Sequence, residues 1–244
     1  MSAKKIALIT GANKGIGLET ARQLASQHGV HVLIGARDIK KGESAAAKLT
    51  KEGLEAEPIA IDVTDSQSIA AAAKRVGEKF GRLDILINNA GVMLDDHSKK
   101  VSEQPMDTWR KTFDTNLFGV IAVTQAFLPL LKKSDAGRIV NLSSILGSIT
   151  LHGEPGSPVY DTKTAAYNVS KSAVNAWTVQ LAYELKDTKI KVNAVHPGWV
   201  KTDMGGEEAP MEIADGAKTS VALATIGPDG PNGSYSHLGE KLPW

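Results

Sequence analysis

Short apolar runs alternate with longer amphipathic stretches along this chain, and that alternation restricts the fold more than any other feature. KIALIT at 5–10 reads as a strand, and IGLETARQLASQH at 16–28 as a helix with apolar positions at helical spacing. The pattern repeats as strand 31–36, helix 38–52, strand 57–62, helix 65–80 opening at Asp65, and strand 83–88. A longer helical region covers 107–133, followed by strand 138–144, a helix over 164–186 and a strand over 191–197. Strands apolar on both faces, separated by helices, imply a parallel sheet covered on both sides with right-handed crossovers. The expected class is α/β, a doubly wound parallel sheet of about seven strands flanked by helices. No Pro/Ser-rich linker and no repeat of fixed period interrupts residues 1–244, so a single domain is expected.

Composition removes several classes of function. A net charge of +1 gives no basic excess for nucleic acid or a membrane surface, so neither is expected as a partner. The longest apolar runs are too short to span a bilayer, and the N-terminal apolar run opens a strand rather than a cleaved leader. There is no cysteine, hence no disulfide and no thiol nucleophile, and the six histidines lack ligand spacing, so no metal is assigned. A soluble, cytoplasmic protein is expected.

The segment TGANKGIG follows the first strand directly and opens the first helix. Gly11, Gly15 and Gly17 allow a tight turn, close approach of backbone to a pyrophosphate, and close helix–strand packing. This predicts a dinucleotide site in a Rossmann fold. NAD sites usually place an acid about 20 residues beyond the glycines, and Asp38 stands 21 beyond Gly17. The second strand ends at Ala36, however, and Arg37 comes next, where a guanidinium would neutralise a 2′-phosphate. Lys14, inside the turn, offers a second cation, and together the two favour NADP(H).

Farther along, Tyr167 and Lys171 stand one helical turn apart in YNVSK, with the pair Ser143–Ser144 upstream at the end of an apolar run. Together with the glycine turn, the Asp62–Val63 pair, NNAG at 88–91, Asn116 in NLFG and PGWVKTDM at 197–204, these residues resemble the short-chain dehydrogenase/reductase family over essentially the whole chain. The wording of the glycine turn, ARD after the second strand, PGWVKTDM and Trp244 are most similar to the NADPH-dependent carbonyl reductases of that family.

The resemblance implies cofactor contacts from Gly11, Asn13, Lys14, Gly15, Ile16 and Gly17 and from Arg37. It also implies Asp62 and Val63 at the adenine, and Asn89, Ala90 and Gly91 beside the adenine ribose. Pro197, Gly198, Val200 and Thr202 would hold the nicotinamide amide and the phosphates. It further implies a catalytic set of Asn116, Ser144, Tyr167 and Lys171. Tyr167 would be the general acid/base and Ser144 a donor to the substrate carbonyl, while Asn116 would hold a water that returns protons to Lys171. Lys171 would bind the nicotinamide ribose, and its charge is expected to lower the Tyr167 pKa from its usual value near ~10. Ser144 is chosen over Ser143 because the family's serine is usually the second of the doublet, and alternation would turn the first to the other face if the strand continues. Tyr160 lacks a lysine four residues on and is set aside. His196 reads as a sheet-end residue, and Trp199 suits either packing or the substrate pocket.

One departure stands out: Tyr167 lies 23 residues after Ser144, where the family commonly has about a dozen. The extra stretch, about 152–163, is rich in Gly, Pro and polar residues and reads as a loop. In carbonyl reductases an insertion here covers the helix face used for tetramers, so a monomer or homodimer is expected. A short substrate loop, about 202–213, implies an open pocket. The expected activity is NADPH-dependent reduction of a ketone or aldehyde, with a small-molecule carbonyl or alcohol as partner. Alternatives are an NAD(P)-dependent alcohol dehydrogenase, a 3-oxoacyl reductase and a dinucleotide sensor that has lost its chemistry.

Overall fold

The structure, a computed structural model, describes residues 4–244. Its strands are β1 (Ile6–Ile9), β2 (His31–Ala36), β3 (Ala56–Ala60), β4 (Ile85–Asn88), β5 (Arg138–Leu142), β6 (Lys191–Val195), β7 (Tyr235–His237) and β8 (Glu240–Lys241). They form one sheet in the order β3-β2-β1-β4-β5-β6-β7-β8. Every pairing is parallel except β7 with β8. The parallel strands number the seven expected, and β8 is an added antiparallel return beside β7.

The helices are α1 (Gly15–His28), α2 (Ile39–Lys51), α3 (Ser66–Phe80), α4 (Met106–Phe113), α5 (Gly119–Leu131), α6 (Ile149–Gly153), α7 (Ala165–Glu184) and α8 (Ile213–Ala224). α2 and α3 start where short acids can cap them: Asp38 accepts from Lys40 N at 3.0 Å and Asp65 from Gln67 N at 2.9 Å. Two apolar layers sandwich the sheet, as continuous apolar strands require. On one face Leu8, Leu33, Leu86 and Ile139 pack with Val76, Phe127 and Leu181 from α3, α5 and α7. On the other, Ile9, Ile34, Ile87 and Val140 pack with Leu24, Leu49 and Val221 from α1, α2 and α8.

Two regions differ from the sequence expectation. The helix expected over 107–133 is broken by a π turn at Asp114–Phe118 that joins α4 to α5. Such wide turns often sit at functional positions, and this one holds Asn116 with no exposure. The joined helix Met106–Leu131 is also long and apolar enough to cross a bilayer, contrary to the expectation that no run is. Its Val123, Phe127 and Leu131 lie fully inside the core, which accounts for the apolar composition. The second region is the insertion: α6 claims its first two residues, while 154–163 is turns and coil as expected.

Candidate active site

A parallel sheet puts the carboxyl ends of its strands on one edge, and the motifs singled out in the sequence follow such ends, except Asn116 in the π turn and Tyr167 and Lys171 in α7. Gly11 follows β1, Arg37 β2, Asp62 β3, Asn89 β4, Ser144 β5 and Pro197 β6. The chain reverses its direction across the sheet between β1 and β4, where ligands of open α/β sheets bind.

The glycine turn is built for close approach. Gly11 has φ +63°, a conformation that disfavours any side chain. A Cβ on Gly17 would lie 2.5 Å from Asn89 Nδ2 and 2.9 Å from the Gly11 carbonyl oxygen. Asn89 itself donates to the carbonyl oxygens of Thr10 (2.8 Å) and Gly11 (3.2 Å), and Ala90 N donates to Thr10 Oγ1 at 3.1 Å. The NNAG segment therefore braces the turn from the next strand. On the other side, Gly15 approaches Thr202, whose hydroxyl accepts from Gly205 N at 3.1 Å. Val200 pairs with Met211, which closes the 202–213 loop at its base. Gly198 has φ +99°, where the chain turns away after Pro197. Asp62 accepts from the amide and hydroxyl of Thr64, and these bonds hold its carboxyl below the usual range.

Asp38 caps α2, its Oδ1 accepting from Lys40 N. Arg37 is exposed and forms no ion pair among the described residues, which leaves its guanidinium available to a 2′-phosphate. Lys14 is paired with Asp203 across the cleft, both side chains being largely exposed. A depression of about 290 Å³ is lined by Asn13, Lys14, Lys41, Ser44, Ala45 and Lys48. Lys41 and Lys48 were missed in the sequence; their seven-residue spacing on one face of α2 was the available signal. This cationic rim and the side-chain-free turn fit a dinucleotide bearing a ribose phosphate.

Ser144, Tyr167 and Lys171 meet at the end of β5. Ser144 is 8%, Tyr167 7% and Lys171 4% exposed, so the reacting groups sit at the edge of the core. The two serines divide as expected: Ser143 Oγ donates to the Lys171 carbonyl oxygen at 3.3 Å, away from the phenol, while the Ser144 hydroxyl faces Tyr167 and accepts from Leu146 N at 3.2 Å. Lys171 Nζ stands 5.5 Å from the Tyr167 ring centre and donates to the Leu142 carbonyl oxygen at 2.8 Å.

The expected lowering of the Tyr167 pKa does not occur. Burial pushes the phenol up to about 12, against a smaller opposing pull from the Ser144 hydroxyl. Desolvation of the phenolate outweighs that pull, and burial likewise pushes Lys171 from 10.5 down to about 8. Asn116 does not contact Lys171 directly. Its Oδ1 accepts from Val92 N (2.8 Å), and its Nδ2 donates to the Val92 carbonyl oxygen (2.8 Å) and Ser170 Oγ (3.0 Å). One lone pair of Oδ1 stays open for a water, and a Cβ on Gly91 would lie 3.5 Å from that oxygen and 3.6 Å from Lys171 Nζ.

The remaining candidates separate cleanly. Tyr160 lies in the insertion under Lys163, at 4.8 Å from ring to ammonium. His196 is pushed down to about 3, first by burial and then by His237, so it stays neutral. Trp199 is 57% exposed and donates to the Gly205 carbonyl oxygen, which places it against the 202–213 loop rather than in the core. Tyr235, unmarked in the sequence, is fully buried, donates to the Ser144 carbonyl oxygen and stacks on Trp244 at 5.4 Å. Trp244 in turn accepts from Thr150 N and Ser148 Oγ.

A family model described as short chain dehydrogenase matches residues 5–213. The short-chain dehydrogenase anuI of Penicillium roqueforti is 40% identical over 92% of this chain and 90% of its own length. The NADPH carbonyl reductase 1 of Mus musculus is 34% identical, with 100% of this chain and 99% of that protein covered. Among solved structures, NADPH-bound carbonyl reductase from chicken fatty liver superposes with a TM-score of 0.85 at 27% identity over 99% of each chain. The family model covers most of the chain, the fold agrees with these matches, and the chain belongs to the short-chain dehydrogenase family of oxidoreductases.

Proposed function

We propose that this protein reduces ketone or aldehyde carbonyls with NADPH, with Tyr167 as proton donor. The single observation that carries the reading is the buried convergence of Ser144, Tyr167 and Lys171 at the end of β5. The NADPH carbonyl reductase relatives, and the availability of Arg37 beside the α2 rim, support the choice of NADP(H).

NADPH supplies the hydride when bound. The chain's own residues do the rest. Ser144 polarises the substrate oxygen and stabilises the negative charge that develops there. Tyr167, pushed up to about 12, is neutral at pH 7 and holds the proton that the oxygen needs. Lys171, at about 8, keeps most of its charge at pH 7 and faces the phenol that must be reprotonated. Asn116 offers its open lone pair to a water on that route. Arg37 and the lysines of the α2 rim would hold the ribose phosphate.

The test follows NADPH and NADH absorbance with ketones, aldehydes and quinones, for the parent and Tyr167→Phe. Turnover with NADPH well above NADH, reduced about 100-fold or more in the variant, is expected. Parental rates in Tyr167→Phe refute the proton-donor role. NADPH binding without turnover of any carbonyl moves the reading to a sensor.

A further inference from the structure

We infer that Asp95 is a positioning residue for Tyr167, acting through a short strap, residues 91–96, that sets the start of α7 against Asn116. The inference rests on the reading of Tyr167 as the proton donor.

The first N–H groups of a helix need partners from outside it. α2 and α3 find theirs locally, in Asp38 and Asp65. The N-cap of α7, Thr164, gives no such bond, because its hydroxyl is turned to Asn168 Oδ1 at 2.6 Å. Instead the amides of Ala166 and Tyr167 donate to the two oxygens of Asp95 at 2.8 and 3.0 Å, across 71 and 72 residues of chain. Asp95 is 9% exposed, so these bonds are little contested by water. A carboxylate bonded to two amides at a helix N-terminus also meets the positive end of the helix dipole.

The rest of the strap is gripped on both sides of Asp95. Val92 exchanges both its backbone bonds with the Asn116 amide, each at 2.8 Å. Asp96 does the same with the Gln104 amide, receiving at 2.7 Å and donating at 3.1 Å. At Gly91, where the strap begins, a Cβ would come within 3.5 Å of Asn116 Oδ1 and 3.6 Å of Lys171 Nζ, so the absence of a side chain lets the strap pass close to both. One short segment therefore bonds Asn116 and the main chain of Tyr167 and passes beside Lys171. A cap drawn from this strap does what a local cap would not: it fixes the phenol's helix relative to the other catalytic groups. A displacement of about 1 Å at such a site costs up to about 100-fold in rate.

The experiment separates capping from positioning. Asp95→Ala removes both functions; adding Thr164→Asp restores a carboxylate at the N-cap, where it reaches the same two amides without touching the strap. Thermal stability, NADPH affinity and kcat are measured for both and for the parent. Asp95→Ala is expected to lose stability and at least about tenfold in kcat with little change in NADPH affinity. In the double variant stability returns while kcat stays low. Recovery of kcat together with stability, or a parental kcat in Asp95→Ala, overturns the inference. Should Asp95→Ala fail to fold, Asp95→Asn, which keeps the shape and one acceptor, takes its place in the same comparison. Tyr167→Phe is run alongside: full activity there sinks the proposed function itself, whereas an inactive Tyr167→Phe with a fully active Asp95 variant sinks only the positioning role.

Discussion

Replacing Lys171 by methionine should stabilise the protein at neutral pH while abolishing its chemistry. Lys171 is 4% exposed, and burial pushes it from 10.5 down to about 8. Each pH unit of such a gap corresponds to about 1.4 kcal/mol, so the charged lysine destabilises the fold by about 3 kcal/mol at pH 7. Methionine removes that cost and fills a similar volume. It also strips the Leu142 carbonyl oxygen of its 2.8 Å donor, a loss of about 1–2 kcal/mol. The balance is about 1–2 kcal/mol in favour of Lys171→Met, or roughly 3–6 °C in Tm for a chain of this size. The pH dependence is a sharper check. Below pH 8 both folded and unfolded lysines carry the proton, and the full cost is present. Between about pH 8 and 10.5 the unfolded chain still binds a proton that the folded chain has released, so parental stability rises with pH. The advantage of Lys171→Met should therefore shrink across that window. Above pH 10 Tyr167, raised to about 12, works oppositely in both proteins: the folded state keeps its proton, and stability falls as pH rises. Urea unfolding at pH 7, 8, 9 and 10 measures the gap, and NADPH oxidation measures the activity, expected to drop at least about 100-fold. A variant less stable than the parent at pH 7, or a gap that does not close with pH, would refute this account of the buried ammonium.

Gly17→Ala should weaken NADPH binding about tenfold or more by calorimetry, because its Cβ falls 2.5 Å from Asn89 Nδ2 and 2.9 Å from the Gly11 carbonyl oxygen, displacing the turn. A parental affinity would show that the turn can shift without consequence. Asp84→Ala tests a site remote from the chemistry: the carboxylate is 5% exposed and accepts from Ile6 N (2.9 Å), Ser134 Oγ (2.6 Å) and Arg82 Nε (3.2 Å). Its removal strands these donors and should cost about 3 kcal/mol, read as a Tm lower by roughly 6–12 °C with kcat at the permissive temperature unchanged.

The sequence by itself determined the sheet and the place of most of the site. Apolar runs and helical spacing are local properties, and β1 to β6 and α1 to α3 lie where they indicate, with ends shifted by a residue or two. Because the motifs directly follow those runs, a parallel topology was enough to bring Gly11, Arg37, Asp62, Asn89, Ser144 and Pro197 to one edge. The serines lie just past the end of β5, and it is the tertiary contacts that turn the Ser143 hydroxyl to the Lys171 carbonyl oxygen and the Ser144 hydroxyl to Tyr167. About seven strands were expected, but β7 and β8 could not be placed, since strands of three and two residues carry no period to read. Only the tertiary structure decided what surrounds each group. Asp38 has the spacing of a ribose-binding acid and serves as a cap. Lys14 sits in the glycine turn yet pairs with Asp203, 189 residues on. The Tyr167 phenol, one turn from a lysine, titrates higher rather than lower, because its pKa answers to the water excluded by packing and not to the neighbour named by the spacing. The carboxylate that holds its helix comes from Asp95, 72 residues upstream. Periodicity reports on the next turn of the same helix or strand; desolvation and long-range hydrogen bonds are set by segments far apart in the chain, and they exist only once the sheet has brought those segments together.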